Sequence, residues 1–210
     1  MVLFSLFSIG FVIGLTGAMA PGPLLTLTIG ESAKRGGVAG PLVVLGHAML
    51  EFALLMLIVF GAANFLNSKL LFSLIALGGG VVLIYMGCST IWGLKNYQLS
   101  VGGPRDGKGL HPVLAGVIIS LSNPYWFIWW ITIGMGYVMF ARGFGVHGIL
   151  VFFAGHISSD LVWYSFISYG IQFGSRFLSL KVIKAALLTC SIFLVLFGVF
   201  FIVKAYNFTR

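Results

Sequence analysis

Gly46-His47-Ala48-Met49-Leu50-Glu51 and, 109 residues later, Gly155-His156-Ile157-Ser158-Ser159-Asp160 set one short pattern twice inside strongly apolar sequence. Each copy is a Gly-His pair with a carboxylate four residues beyond the histidine. On a helix, positions i and i+4 share a face, so each copy aims an imidazole and a carboxylate at the same side. The chain has only four acidic residues, and this pattern uses two of them. Ionisable groups inside a membrane span are costly and mark pathways or binding sites. The pattern therefore points to movement of something across a bilayer.

Composition agrees. Of 210 residues, 60% are hydrophobic and 8% charged, against about 25% charged in soluble domains. The mean hydropathy is +1.10. A span needs roughly 20 mostly apolar residues, and six such runs can be drawn, over about 3–30, 38–65, 70–94, 112–140, 146–173 and 182–204. The expected fold is an all-α polytopic membrane protein with six transmembrane helices, forming one transporter domain over 1–210 and no soluble module. The only polar stretch, from Lys95 to His111, reads as a cytoplasmic linker at about 95–111. It separates a first repeat at about 1–94 from a second at about 112–210.

The net charge of +8 lies almost entirely at span ends, which argues against a nucleic-acid partner. Lys34, Arg35, Lys95, Arg105, Lys108, Arg176, Lys181 and Lys184 fall on one side; Lys69, Arg142, Lys204 and Arg210 fall on the other. The excess of Lys and Arg on cytoplasmic connections then sets both termini outside the cell membrane. Ala18-Met19-Ala20 has the form of a signal cleavage site, but Pro21 follows it and no early Lys or Arg precedes it, so the segment reads as a retained first span. Cys88 and Cys190 are isolated and read as small buried hydrophobes. No cofactor is expected.

The halves share further landmarks. Pro21-Gly22-Pro23 interrupts the first span and Asn123-Pro124 the fourth, at an offset of 101, and Gly87 corresponds to Gly198 at an offset of 111. The drift between offsets fits one longer connection in the second half. Three spans entering from one side, copied by three from the other, make an inverted repeat with helices one and four broken by Pro. Pro lacks an amide hydrogen and clashes with the preceding turn, while Gly turns freely. The polar backbone freed at a break is tolerated in a bilayer only inside protein or along a wet cavity. Broken ends suit a small zwitterion, with helix N-termini for a carboxylate and freed carbonyls for an ammonium. The bland reading of each break is a packing kink.

His47, Glu51, His156 and Asp160 are the candidate proton carriers, because a buried carboxylate beside an imidazole can take up and release a proton. The alternative is that each His merely satisfies its own acid. Tyr125, Trp126, Trp129 and Trp130 follow the second break. Trp129 and Trp130 fit membrane-interface anchors, whereas Trp126 and Trp163 fall deeper, where a ring could line a cavity or hold a cation. The 29 glycines are about twice the usual fraction. Gly10 and Gly14, Gly36 and Gly40, and Gly170 and Gly174 are small-xxx-small pairs, which fit tight packing and are compatible with a homodimer.

Over residues 10–52, where Gly14-Leu-Thr-Gly-Ala-Met-Ala-Pro-Gly-Pro23 is followed by Gly36, Gly40 and Gly46, the chain resembles the LysE/RhtB exporter family. The resemblance returns at Leu121-Ser122-Asn123-Pro124. It implies export of amino acids or related small metabolites, by proton exchange in several members. Many members carry an Asp soon after the second-span glycines; here His47 stands there and the acid follows at Glu51. Imidazole plus carboxylate also suits a divalent transition metal, so export of a metal cation on His47, Glu51, His156 and Asp160 is the alternative. An intramembrane enzyme is disfavoured. No Gly-x-Ser-x-Gly elbow is present, and Ser158 and Ser159 point away from His156 on a shared helix.

Overall fold

The break at Pro21 shows how the sequence shapes the chain. Continued as helix, Pro21 would have no amide hydrogen for the carbonyl of Gly17. In the computed structural model Ala20 N donates to Gly17 O instead, at 3.2 Å, and closes the first helix. Gly22 is extended and Pro23 opens the next helix, where a missing N–H is harmless. The two helices meet at 79°. Asn123-Pro124 repeats the device: Asn123, pushed out of helical conformation by the following Pro, caps the new helix by accepting Tyr125 N on Oδ1 at 3.1 Å. The bend there is 66°.

The structure describes residues 1–60, 69–95, 109–174 and 180–209, and every regular element among them is helical. In order these are α1 (Val2–Ala18), α2 (Pro23–Arg35), α3 (Ala39–Val59), α4 (Lys69–Gly93), α5 (Pro112–Leu121), α6 (Pro124–Arg142), α7 (Gly145–Gly174) and α8 (Leu180–Thr209). One π turn, Trp130–Gly134, lies within α6. Four helices are long and apolar enough to cross a membrane, or up to six spans if each bent pair counts as one. Most of the expected linker, with Arg105 and Lys108, lies outside the described residues, as do Arg176 and Arg210.

Burial is reversed relative to a soluble domain. Phe4, Val12, Met49, Phe52, Phe166, Leu196 and many other large apolar side chains are exposed, while Thr28, Ser32, Glu51, Ser120, Ser159, Asp160, Ser168 and Ser191 are buried. Water cannot reward that arrangement, but hydrocarbon does, since lipid tails solvate the apolar exterior and polar groups must pair inside. The chain is a multi-pass membrane protein.

Glycine lets the helices pack backbone to backbone. A side chain at Gly10 would strike Phe152 O, and one at Gly155 would strike Phe7 O, so α1 lies directly on α7. Gly46 and Gly116 seat α3 on α5 in the same reciprocal way, against Val113 O and Val43 O. Gly80 faces Gly198, and Gly87 faces Ser191 O, joining α4 to α8. Gly14 and Gly40 also pack on α7, and Gly36 adopts φ +81° in the α2–α3 turn, which a side chain would strain. Gly170 meets nothing within 4 Å. Gly10, Gly14, Gly36 and Gly40 are thus occupied by contacts within one chain.

At that turn α2 ends on Lys34 and Arg35, both paired with Glu31 at 3.1 and 2.7 Å. Ser168 of α7 bonds Gly37 O and Gly40 N at 2.7 and 2.9 Å and Ser32 Oγ at 2.9 Å. Gln172 Oε1 accepts from Gly37 N.

The extra length of the second half is not a longer connection: α6 connects to α7 through Gly143 and Phe144 alone, and α2 to α3 through 36–38. The added residues lie in the helices, chiefly in α6 with its π turn. Trp126 and Trp130, four residues apart on the α-helical turn before it, share the inner face.

Candidate functional site

Glu51 sits at the centre of the bundle, 1% exposed. Its position follows from α3 being pressed on α5 at Gly46 and on α7 at Gly40, which leaves the face carrying His47 and Glu51 pointing inward. Two indoles of α6 donate to Oε1, from Trp126 Nε1 at 2.9 Å and Trp130 Nε1 at 2.7 Å. His47 Nε2 lies 3.1 Å from the same oxygen, and His156 Nε2 lies 3.0 Å from Oε2. Four donors from three helices therefore converge on one carboxylate. An ionised carboxylate only accepts, so facing it each imidazole carries its proton on Nε2.

Asp160 is placed differently. Its Oδ2 is 3.9 Å from His47 Nε2 and 3.7 Å from His156 Nε2, too long for good hydrogen bonds. Oδ2 has no hydrogen-bond partner among the described residues, although the side chain is buried. The expectation that each histidine serves its own acid holds for His47 and not for His156, which reaches across to Glu51. The sequence pattern is symmetric; the wiring is not.

The second nitrogens differ as well. His47 Nδ1 is 2.7 Å from Ser120 Oγ of α5. His156 Nδ1 has no hydrogen-bond partner among the described residues and faces Gly14. Its ring stacks on Trp129 at 4.7 Å, with Trp130 edge-on at 5.4 Å.

A cavity of about 200 Å³ opens beside this cluster. Pro21, Gly22 and Pro23 of the first break and Asn123 of the second line it, together with all four clustered ionisable residues. Leu83 of α4 and Phe193, Leu194 and Phe197 of α8 form an apolar wall. Trp126 lines it too, while Pro124 is turned toward Gly79 of α4.

Three aromatic expectations change. Trp129 and Trp130 are not interface anchors: they are 5% and 1% exposed, packed around His156 and Glu51. Trp163 does not line the cavity; it stacks on Phe166 at 6.1 Å and joins the apolar packing around α8. Trp130, Ser120 and Tyr164 were missed as site residues. The i, i+4 spacing of Trp126 and Trp130 was the available sign for the first.

His47, Glu51 and Asp160 present donor atoms within 4.8 Å of one another, close enough to hold a metal ion. The set is ill-suited to one. Glu51 is already bonded by indole N–H groups, which have no lone pair to offer a cation, and both imidazoles direct Nε2 at carboxylates.

Apolar helices around a buried acid–imidazole cluster, with a cavity between two broken helices, define a membrane transport protein rather than an enzyme. The chain belongs to the LysE type translocator family, whose model matches residues 15–205. It is also similar to a protein of Bacillus subtilis (strain 168) named "Putative amino acid efflux protein YcgF", 28% identical over 156 residues that cover 72% of this chain and 73% of that one. No solved structure matches significantly.

Proposed function

We propose that this protein is a proton-coupled exporter of an amino acid or similar small polar metabolite in the cell membrane. Its single domain is built from six spans in two inverted three-helix repeats, with α1–α2 as span one and α5–α6 as span four. The reciprocal glycine contacts support the repeat. Gly10 on Phe152 and Gly155 on Phe7 in the α1–α7 pair are matched by Gly116 on Val43 and Gly46 on Val113 in the α5–α3 pair. Gly80 against Gly198 is matched by Ser191 against Gly87, at the offset of 111 that relates Gly87 to Gly198. The bias of Lys and Arg supports both termini outside. A homodimer would have to use surface other than the glycines occupied within the chain.

The observation that carries the proposal is the placing of two carboxylates around the same two imidazole nitrogens, beside a cavity between two helix breaks. Each Nε2 faces Glu51 and, slightly further off, Asp160. A proton can therefore pass between the acids through an imidazole with small side-chain motion. Glu51 and Asp160 are the proton carriers, and His47 and His156 the relay. Substrate binds between Pro21-Gly22-Pro23 and Asn123-Pro124, and the repeats rock around it. Export of a divalent cation draws support from the donor spacing of His47, Glu51 and Asp160, but the indole donors on Glu51 favour a proton.

The test is export from liposomes under an imposed pH gradient. Glu51→Gln and Asp160→Asn should each abolish the gradient-driven component. Undiminished export with unchanged pH dependence in both variants refutes the carrier assignment. Transport that responds to zinc or manganese, and to no amino acid, would establish the metal reading in its place.

A further inference from the structure

The cavity walls carry enough chemistry to specify which amino acids fit, an inference that rests on the exporter reading above. Three observations bear on it. Asp160 lines the cavity, and its buried Oδ2 has no hydrogen-bond partner among the described residues. The N-terminus of α2 also lines the cavity and has no side-chain cap. Gly22 is its cap residue and Pro23 lacks an N–H, so the amides of Leu24 and Leu25 have no intrahelical acceptor. The N-terminus of α6, by contrast, is filled by its own Asn123 side chain. Only one of the two breaks therefore offers free amides to a ligand.

Leu83, Phe193, Leu194 and Phe197 give the cavity an apolar wall. Among the described lining residues there is no Lys or Arg, and no acid beyond Glu51 and Asp160. Glu51 is already engaged by four donors, three on Oε1 and one on Oε2, which leaves Asp160 as the less occupied of the two acids. A volume of about 200 Å³ holds on the order of seven waters at about 30 Å³ each, enough for one amino acid and too little for a peptide.

We propose that the substrate is a neutral α-amino acid with an apolar side chain of about leucine or methionine size. Its ammonium binds Asp160, its carboxylate binds the free amides at the start of α2, and its side chain lies against the wall of α4 and α8. Lysine is excluded because no unpaired second carboxylate faces the wall, and glutamate because no cation does. Protonation of Asp160 removes the negative charge that attracts an ammonium, so proton and substrate compete for it. That is the requirement for exchange.

The experiment uses the whole protein in detergent and in liposomes, with thermal stabilisation and counterflow as readouts. The probes are leucine, methionine, lysine, glutamate, 3-methylbutylamine (leucine without its carboxylate) and 4-methylpentanoate (leucine without its amine). Leucine and methionine should stabilise and exchange. Lysine, glutamate and both one-ended analogues should bind at least about tenfold more weakly, since each forfeits a charge-assisted contact. Asp160→Asn should lose leucine stabilisation while melting as one cooperative transition without ligand. Lysine or glutamate bound as tightly as leucine would overturn this inference and leave amino-acid export standing. An amine as good as leucine would remove the α2 carboxylate site. Binding of none of the amino acids would overturn this inference, while the exporter reading stands or falls separately on pH-gradient-driven export and its loss in Glu51→Gln and Asp160→Asn.

Discussion

Replacing Trp130 by Phe tests the central network most directly, because Trp129 supplies an internal control one residue away. Both indoles are buried in the same apolar cluster. Trp130 Nε1 donates to Glu51 at 2.7 Å, while Trp129 Nε1 has no hydrogen-bond partner among the described residues. Trp→Phe removes the same atoms at either site, so the loss of packing is similar and the difference isolates the hydrogen bond. A bond to a charged group contributes about 1.5–3 kcal/mol, against about 0.5–1.5 kcal/mol for a neutral pair. Trp130→Phe should therefore be less stable than Trp129→Phe by about 1.5–3 kcal/mol if Glu51 is ionised. For a chain of this size that corresponds to a further fall in Tm of roughly 3–12 °C. The assay is unfolding in mixed micelles, followed by near-ultraviolet circular dichroism, with both variants at the same detergent ratio. Equal melting, or a lower Tm for Trp129→Phe, would refute the view that indole donors hold the Glu51 carboxylate.

Other expectations follow from particular contacts. Gly10→Ala and Gly46→Ala each drive a methyl group into a backbone carbonyl and should cost about 1–3 kcal/mol or more, whereas Gly78→Ala and Gly170→Ala, which meet nothing within 4 Å, should melt as the parent does. Ser168→Ala removes bonds to Gly37 O, Gly40 N and Ser32 and should destabilise more than Ser191→Ala, which loses only a bond to Leu187 O in its own helix; differential melting checks this. Ser120→Ala frees His47 Nδ1 and should lower stability by about 1 kcal/mol, with a changed pH profile of export read in liposomes.

The sequence exposed the membrane helices, both breaks and the four ionisable residues of the site, because each leaves a local mark. A proline inside an apolar run and an acid four residues after a histidine are visible without any tertiary knowledge. What it hid depends on rotation about helix axes. Trp129 and Trp130 look like an aromatic belt until the rotation of α6 about its axis is known, since that decides that both indoles face inward. Nothing local marks Glu51 as the hub and Asp160 as the open position. That difference comes from α6 approaching α3, and from His156 reaching across from α7. Trp163 misled for the same reason: its depth beside Asp160 was legible, its direction was not. The glycine pairs announced close packing, but only the three-dimensional arrangement showed that the partner is this chain's own α7.

The unequal partners of the two histidines have a spectroscopic consequence. His47 is engaged at both ring nitrogens, by Glu51 and Ser120, so a change at Nε2 must be matched by reorientation of the Ser120 hydroxyl. His156 is engaged at Nε2 alone, with Nδ1 facing the bare backbone of Gly14. Nitrogen-15 resonances of the two rings should therefore separate, with a hydrogen-bonded Nδ1 in His47 and an unbonded one in His156. Two residues that read as duplicates in the chain would report independently on the two halves of the molecule.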